Sequence, residues 1–386
     1  MPLPLIVVYA AGLLLAAAYV GLIVHLLHHW RRLPRWTPAP SDQSLPFFIT
    51  VLLPARNEAA RIGACLRSLQ AQSLPAARFE IIVIDDHSTD GTAAVVQAMG
   101  LPNLRLLPLA DHLSGGGVAS YKKAALALGV AAARGELIVT TDADCRAPVD
   151  WLRLLATRYR AGRPAFLTAP VVLGRARTAL ERFQALDVLG TMVLTGGGIH
   201  AGWLHLANGA NLAYPKTVFR TVGGFAGIDH LASGDDMLLL QKVADRYPGR
   251  IAFVKARAAA VETDPMSTWR GFLQQRLRWA TKSSAYRRPQ ATIVWALVFV
   301  VCGALVSSPL AVVAWGSAAL GLPFLLLIAK LGADFLLLRC ATRFFGRSEL
   351  MRSFLISQAI HIAYVLVIGL LSNVQRKYKW KGRRVA

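Results

Sequence analysis

The chain has 386 residues, and its mean hydropathy of +0.44 is too high for a wholly soluble protein. Its length allows a soluble domain of ordinary size with a membrane portion beside it. The net charge of +22 fits nucleic acid, an anionic lipid surface or an anionic substrate, but zinc-finger spacing, an aromatic–glycine RNA signature and a compact basic helix are absent from the sequence. We therefore expect the charge to serve anchoring to acidic headgroups, with no nucleic-acid partner.

The first predicted element is an apolar stretch at residues 3–27 without acidic or basic residues other than His25. At about 20 apolar residues per span it is long enough to cross a bilayer. No basic segment precedes it, so we expect a retained anchor over 1–30 rather than a cleaved signal peptide. Arg31, Arg32 and Arg35 follow it, and the positive-inside rule then places its C-terminal side in the cytoplasm.

After a proline-rich linker, residues 47–270 have the composition of a globular domain. Short apolar runs, read as buried strands, alternate with helical stretches such as 60–72 and 121–135, the second of which Gly135 is expected to close as a left-handed C-cap. This alternation predicts an α/β domain with a parallel sheet covered on both faces. Ligands of such sheets bind outside the carboxyl ends of the strands.

Polar pairs stand at three of those predicted ends. They are Asn57 and Glu58, Asp85 and Asp86, and Asp142 and Asp144. The last two residues are two positions apart in an extended segment, so their carboxylates point the same way, and Mg²⁺ or Mn²⁺ between them would remove their repulsion. A solvated turn is the alternative interpretation.

The second pair has two interpretations as well. Asp85 and Asp86 are suited to accept hydrogen bonds from a nucleobase or from ribose hydroxyls, or they belong to turn chemistry, with Ser88 and Asp90 as caps of the next helix. The glycine-rich segment 114–123 is expected to be a loop before a helix, since it lacks the ending of a phosphate-binding P-loop. A second glycine-rich segment, 194–214, is either a turn cluster or part of a cleft.

Two further segments carry candidate chemistry. Ser233 or Gly234 is expected to open a helix with Asp235 and Asp236 in its first turn, where the helix dipole favours anions; Asp236 is the better candidate for a general base. Residues 271–290 are expected to hold an amphipathic interfacial helix, in which Arg278 binds a diphosphate and Trp279 stacks on an acceptor, or both belong only to a Trp/Arg belt.

The C-terminal region, 291–386, contains apolar stretches at 292–314, 318–338 and 353–372. Three full spans there would leave the basic residues 375–384 outside, against the positive-inside rule. The third stretch contains Gln358 and His361, so we expect two full spans and a third segment that is re-entrant or interfacial.

The order of the segments VLLPARNE, VIDDHSTDGT, TTDADC, NGANLAY, GDDMLL and QQRLRW resembles the membrane-anchored family 2 glycosyltransferases over residues 47–282. The resemblance implies a GT-A fold, that is, a Rossmann-like domain that binds a nucleotide sugar. It also implies metal-dependent, inverting transfer from a nucleoside-diphosphate sugar to a lipid or lipid-linked acceptor. The expected location is the cell (inner) membrane, as a multi-pass protein with a cytoplasmic catalytic domain.

The resemblance also implies roles for single residues. Asp142 and Asp144 would hold Mg²⁺ or Mn²⁺ with the diphosphate, and Asp236 would be the base. The residues implied on the donor side are Pro54, Glu58, Asp85, Asp86, Lys123 and Asp142. Those implied for the acceptor and the diphosphate are Asp235, Gln275, Arg278, Trp279 and Asn208.

The chain departs from the family pattern twice. Asp235 stands where the family often has Glu, and Cys145 stands where some processive synthases have His, so ligation of a metal by Cys145 is not expected. A processive polysaccharide synthase is an alternative function, although three or four spans are few for a pore. A non-catalytic receptor for nucleotide sugars is another, disfavoured by the intact set of acidic residues and Arg278.

Overall fold

The computed structural model describes residues 2–37, 46–113, 119–231, 233–281, 285–286, 288–374, 378–380 and 383–385. One long apolar helix, α1 (Leu3–Arg32), precedes the soluble domain. Three more follow it, α10 (Gln290–Trp315), α11 (Gly321–Phe345) and α12 (Phe354–Val374). The proline linker at 38–45 and most of the glycine-rich segment 114–123 lie outside the described residues.

A seven-stranded sheet in the order β3-β2-β1-β4-β7-β5-β8 forms the centre of the soluble domain. Its strands are β1 (Ile49–Ala55), β2 (Phe79–Asp85), β3 (Leu104–Pro108), β4 (Leu137–Thr140), β5 (Phe166–Thr168), β7 (Leu212–Pro215) and β8 (Ile251–Phe253). Two short pairs stand apart, β6 (Val171–Leu173) with β9 (Val261–Thr263), and β10 (Tyr378–Trp380) with β11 (Arg383–Val385). Nearly every residue of β1, β2 and β4 is buried, as their continuous apolar runs predict.

The sheet is mixed, so the prediction of a parallel sheet is wrong for one strand. Strands β3, β2, β1 and β4 are parallel, whereas β7 is antiparallel to both β4 and β5. The chain reaches β7 at Leu212, which pairs with Thr140 at the carboxyl end of β4. Because it enters the sheet at that end, β7 has to run back along β4.

Eight helices surround the sheet within the described ranges. They are α2 (Ile62–Gln70), α3 (Thr92–Ala98), α4 (Tyr121–Ala132), α5 (Trp151–Gly162), α6 (Ala179–His200), α7 (Lys216–Thr221), α8 (Met237–Arg246) and α9 (Trp269–Ala280). The predicted C-cap of α4 is wrong, since the helix ends at Ala132 and Ala133 is extended. Gly135 instead allows the chain before β4 to pass close to β1, because a Cβ at this position would lie 2.5 Å from the backbone nitrogen of Thr50.

Three of the five glycines of segment 194–214, Gly196, Gly197 and Gly198, lie inside helix α6, so the turn-cluster interpretation is wrong for these three. A Cβ at Gly197 would collide with the backbone oxygen of Leu26 in α1, and one at Gly196 would lie 2.5 Å from the ring of Trp30. Farther along α6, a Cβ at Gly190 would lie 3.0 Å from Leu338 of α11. These glycines therefore allow the backbone of α6 to pack directly against the membrane helices.

Four helices of the described chain are long and apolar enough to span a membrane: α1, and the helices that contain α10, α11 and α12. Helices α1 and α11 are parallel neighbours. Tyr9 near the start of α1 donates a hydrogen bond to Ala318 in the turn before α11, and Trp30 near its end contacts Phe344. The ends of α1 and α11 that carry basic residues therefore lie together, beside the soluble domain.

Helix α12 follows an oblique course across the bundle. It begins with Phe354 against Phe335 of α11, and Gln358 then accepts a hydrogen bond from Lys330, one turn deeper along α11. Its second half packs along α10 in the opposite sense, where Gly369 touches Phe299 closer to the start of α10. Strand β10, which follows α12, contacts α9 of the soluble domain. These contacts favour a third segment with both ends on the side of the soluble domain, which would remove the conflict with the positive-inside rule.

The course of α12 predicts that the C-terminus lies on the same side as the soluble domain. A green fluorescent protein fused after Ala386 should fluoresce, and alkaline phosphatase fused there should be inactive. The control is the same pair of reporters inserted after Gly316, in the turn between α10 and α11, where the outcome should be reversed. Active phosphatase at the C-terminus would mean that α12 spans the membrane fully.

The close contact between α6 and α1 at Gly197 gives a second prediction, which concerns stability. Gly197→Ala drives a methyl group into the backbone of α1, and we expect destabilisation by about 1–3 kcal/mol, measured as a lower Tm in detergent. Gly332→Ala in α11 is the matched control, because nothing lies within 4 Å of a Cβ there. Equal melting temperatures for the two variants would contradict backbone contact between α6 and α1.

Candidate active site

The carboxyl ends of β1 and β2 lie side by side, with Ala55 in register with Asp85. Ser88 N donates to Asp85 Oδ2 at 3.4 Å, while Asp85 Oδ1 is buried and has no hydrogen-bond partner among the described residues. A buried acceptor without a donor costs about 1–3 kcal/mol. The position therefore suits a ligand that brings an N–H or a hydroxyl.

The next residue, Asp86, is buried and within 3.0 Å of His87 Nδ1. Arg56 donates to the carbonyl oxygens of Asp86 and His87 at 2.8 and 2.9 Å, which ties the loop after β1 to the loop after β2. Asn57 and His87 have φ values of 50° and 54°, a left-handed conformation that non-glycine residues adopt rarely. The structure thus has a turn built around Asp86 and an unfilled acceptor at Asp85, and ligand binding by Asp85 stays a prediction.

The remaining residues predicted near these loops have structural contacts. Pro54 lies within β1, paired with Ile84, and Glu58 is buried while its N–H donates to Thr92 Oγ1 at 2.8 Å. Asp90 accepts from Thr92 N at the start of α3, whereas the Ser88 hydroxyl accepts from Asn57 N. Of the two predicted caps, Asp90 alone bonds to the first turn of α3.

The carboxylates of Asp142 and Asp144 follow β4, and with the Cys145 sulfur their ligand atoms lie within 4.8 Å of one another. Burial, followed by the charges of Asp142 and Asp144, raises the pKa of the Cys145 thiol well above its usual value. The thiol therefore stays protonated and lies 3.6 Å from Asp144 Oδ1 as a weak donor. Two converging carboxylates fit Mg²⁺ or Mn²⁺ that takes its other ligands from phosphate and water.

Lys122 in the first turn of α4 joins two acidic segments. Its Nζ lies 2.9 Å from Asp142 Oδ1 and 3.2 Å from Asp235 Oδ2. Burial alone would lower the pKa of Lys122, but the two carboxylates outweigh it and raise the pKa above the ordinary value. A single ammonium group thus holds the end of β4 against the segment before α8.

Lys123, the lysine predicted on the nucleotide side, points elsewhere. Its side chain is buried, and its Nζ donates to the carbonyl oxygens of Ile228 and Leu231 at 2.5 and 2.6 Å. Consecutive helical positions differ by about 100° in direction, so one of the two lysines faces the acidic residues and the other faces the core. The sequence shows both lysines but not which of them faces the acidic residues. The structure places Lys122 there, and Lys123 in the core.

Asp236 is the N-cap of α8, which begins at Met237 rather than at Ser233 or Gly234 as predicted. Its Oδ1 accepts from Met237 N at 2.7 Å and its Oδ2 from Gly209 N at 3.1 Å. These two bonds fix the carboxylate against the loop before β7. Gly209 leaves room for this arrangement, since a Cβ there would lie 3.3 Å from both Asp235 Oδ2 and Lys122 Nζ.

The NGAN segment divides between the site and the core. Asn208 Oδ1 accepts from Ala210 N at 3.1 Å and shapes the turn that presents Gly209 to Asp236. Asn211 is fully buried, donates to two backbone carbonyls and accepts from Trp151 Nε1 at 2.9 Å. Asn208 thus reaches the site through the backbone of its turn.

Helix α9 carries the QxxRW residues and begins at Trp269, earlier than predicted. Arg276 within the motif is buried, lies 2.7 Å from Asp187 of α6, and covers the Trp279 ring at 4.6 Å. Gln275 and Arg278 are half-buried, and the Arg278 side chain has no hydrogen bond or ion pair to any residue that the structure describes. The packing of α9 is with α6 and α12, so tertiary contacts orient Trp279.

Two family models match the chain, one described as "Glycosyl transferase family 2" over residues 50–187 and one as "Glycosyl transferase family group 2" over residues 137–371. The second match alone spans more than half of the chain. The chain belongs to glycosyltransferase family 2. The expected fold and enzyme class are thereby confirmed, and this glycosyltransferase has a GT-A domain with apolar helices at both ends.

Individual relatives agree with that assignment. The probable glycosyltransferase YdaM of Bacillus subtilis (strain 168) is 29% identical over 264 residues, 66% of this chain and 59% of the relative. The dolichyl-phosphate beta-glucosyltransferase ALG5C of Trichomonas vaginalis is 30% identical over 190 residues, 42% of this chain and 54% of the relative. The chain thus spans less than two thirds of the length of these curated relatives.

A solved structure has the same fold. It is the mannosyltransferase PcManGT from Pyrobaculum calidifontis in complex with GDP-Man and Mn²⁺, with a TM-score of 0.57 and 20% identity, covering 95% of this chain and 99% of that chain. The similarity therefore extends over the membrane helices as well as the GT-A domain.

The contrast between the two lysines gives a prediction. Lys122→Gln removes the counter-charge of Asp142 and Asp235, so a divalent cation meets less competition and Mn²⁺ affinity without nucleotide should rise about tenfold. Isothermal titration measures this. Lys123→Gln is the control, with unchanged Mn²⁺ affinity but a Tm several degrees lower, because two buried carbonyls lose a charged donor. Weaker Mn²⁺ binding in Lys122→Gln would refute the bridging role.

Proposed function

We propose that this glycosyltransferase moves a sugar, with inversion, from a nucleoside-diphosphate sugar to a lipid or lipid-linked acceptor. One observation carries the proposal. Lys122 holds Asp142, on the predicted donor side, next to Asp235, whose neighbour Asp236 is the candidate base. Donor and acceptor chemistry thereby share one cleft at the carboxyl ends of the strands.

The donor nucleoside is assigned to the loops after β1 and β2. Asp85 Oδ1, buried and without a partner, is the acceptor for a nucleobase N–H or a ribose hydroxyl. The diphosphate is assigned to the end of β4, where Asp142 and Asp144 would hold Mg²⁺ or Mn²⁺. When bound, that cation supplies positive charge to the departing diphosphate.

Asp236 is assigned as the general base. The oxygen of an acceptor hydroxyl forms a bond to the anomeric carbon, and the bond from that carbon to the diphosphate breaks. The bonding electrons leave with the nucleoside diphosphate, and the hydroxyl proton moves to the Asp236 carboxylate. Hydrogen bonds from Met237 N and Gly209 N fix the direction of that carboxylate, and the acceptor meets it already oriented.

The half-buried helix α9 supplies the remaining groups. Arg278 has no ion-pair partner among the described residues, which suits a guanidinium that binds a diphosphate. Trp279 and Gln275 are assigned to the acceptor side. The acceptor is proposed to be a lipid because α9 packs against α12 and α6, which adjoin the membrane helices, so a substrate at this helix meets the bilayer surface. The catalytic domain is assigned to the cytoplasmic side, where Arg31, Arg32 and Arg343 stand at the ends of α1 and α11.

The base assignment predicts the effect of Asp236→Asn. Asparagine is an equally good N-cap, so the fold and donor binding should persist while kcat falls about 10³-fold. Asp245→Asn in the same helix, where the exposed carboxylate pairs with Arg288, is the control and should keep full activity. Near-normal transfer by Asp236→Asn would remove Asp236 from the mechanism.

Both substrates have to be identified for that assay. Purified protein in detergent would be given a panel of UDP-, GDP- and other nucleotide sugars, with Mn²⁺ and a membrane lipid extract. Mass spectrometry of the lipid phase then names the donor sugar and the acceptor together. A wild-type protein that transfers no sugar from any donor would refute the proposed function.

A further inference from the structure

The membrane helices line a partly open cavity of about 90 Å³ beside α6, and most of its wall is apolar. Its walls come from α1, α6, α10, α11 and α12. The polar residues in them are Tyr19, Asp187, Thr191, Asp334, Ser357, Gln358 and His361. Polar groups at such depth are costly and mark functional sites in membrane proteins.

The wall of the cavity contains two carboxylates, and no lysine or arginine lines it within the described part of the chain. Each carboxylate already forms an ion pair with a basic side chain. Lys330 Nζ lies 2.6 Å from Asp334 Oδ2, and Arg276 Nη2 lies 2.7 Å from Asp187 Oδ2. Tyr19 donates to the other oxygen of Asp334 at 2.5 Å. A phosphate group would meet like charge here and no free cation.

One polar atom of the wall lacks a hydrogen-bond partner among the described residues. The Ser357 side chain is 2% exposed, and its Oγ is unpaired. Asp187, by contrast, is balanced by Arg276, whose Nη2 lies 2.7 Å from Asp187 Oδ2. In a bundle surrounded by lipid, an unpaired buried group is expensive. A hydroxyl or amide in the cavity would pair with the Ser357 hydroxyl.

The cavity is connected to the active site by packing. Leu26 and Val294 line it, and both belong to a cluster against which Tyr286 packs. Burial, followed by the charge of Asp236, raises the pKa of Tyr286. On the other side, Asp187 pairs with Arg276, two residues before Arg278. The cavity therefore adjoins α9, the helix that carries Gln275, Arg278 and Trp279.

We propose that this cavity selects the acceptor, and that the acceptor is an uncharged lipid with a hydroxyl or amide besides the hydroxyl that reacts. This inference rests on the proposed function and names its substrate class. The second polar group pairs with Ser357, and the reacting hydroxyl extends toward Asp236. The requirement for a base agrees with this class, because a lipid phosphate arrives with its nucleophilic oxygen already deprotonated.

The test separates acceptor classes before it uses variants. Lipids extracted from membranes of the source organism are divided by anion exchange into neutral and acidic fractions, and each is placed in phosphatidylcholine nanodiscs with the full-length protein, the donor panel and Mn²⁺. Transferred sugar should appear only on a lipid of the neutral fraction. Sugar found only on an acidic lipid overturns this inference and leaves the proposed function standing. Transfer to neither fraction overturns both.

Variants then test the cavity itself. Ser357→Ala should raise KM for the neutral acceptor about tenfold, because the polar group of the lipid loses its partner, while KM for the donor and the Tm stay unchanged. Ser357→Thr keeps a hydroxyl and should keep the wild-type KM. Ser308→Ala is the matched control, a buried serine of α10 whose hydroxyl bonds to Leu305 O within its own helix. An unchanged acceptor KM in Ser357→Ala overturns the assignment of the cavity.

Discussion

The site depends on one electrostatic constraint, the ammonium of Lys122 between Asp142 and Asp235. Without a cation, the carboxylates at the end of β4 and before α8 would repel each other. With it, two segments more than 90 residues apart in sequence are held in one cleft. The hydrogen bond from Gly209 N to Asp236 adds the loop before β7 to the same assembly. The candidate site residues are therefore placed by charge pairing and hydrogen bonds among the loops.

A second constraint positions this cleft relative to the membrane. Helix α6 follows β6 of the catalytic domain and lies against α1 and α11, and its glycines allow contact with the backbone of Leu26. Close-packed interiors transmit displacements, so the cleft and the membrane helices form one unit. Arg276 of α9 completes the connection through Asp187 of α6. Helix α9 is thus held in place by α6, which also contacts the membrane helices α1 and α11.

Much of the site was predictable because its residues stand at strand ends. Asp85, Asp86, Asp142 and Asp144 each follow an apolar run, and parallel strands bring their carboxyl ends to one edge. The choice between Lys122 and Lys123 was not predictable, since it depends on the phase of α4. The antiparallel direction of β7 was not predictable either. The direction of a strand depends on the end of the sheet at which the preceding loop enters it, and that is set by tertiary structure.

The sequence alone determined the fold class, the membrane helices and the set of candidate carboxylates, because apolar periodicity and charge placement are local properties. Tertiary structure decided which groups face one another. Gly197 was open to interpretation as part of a turn and is a contact between helices, while Asp187 and Ser357 carried no local signal and line the same cavity. Such pairings join distant segments, so their energies depend on packing that no short stretch of sequence encodes.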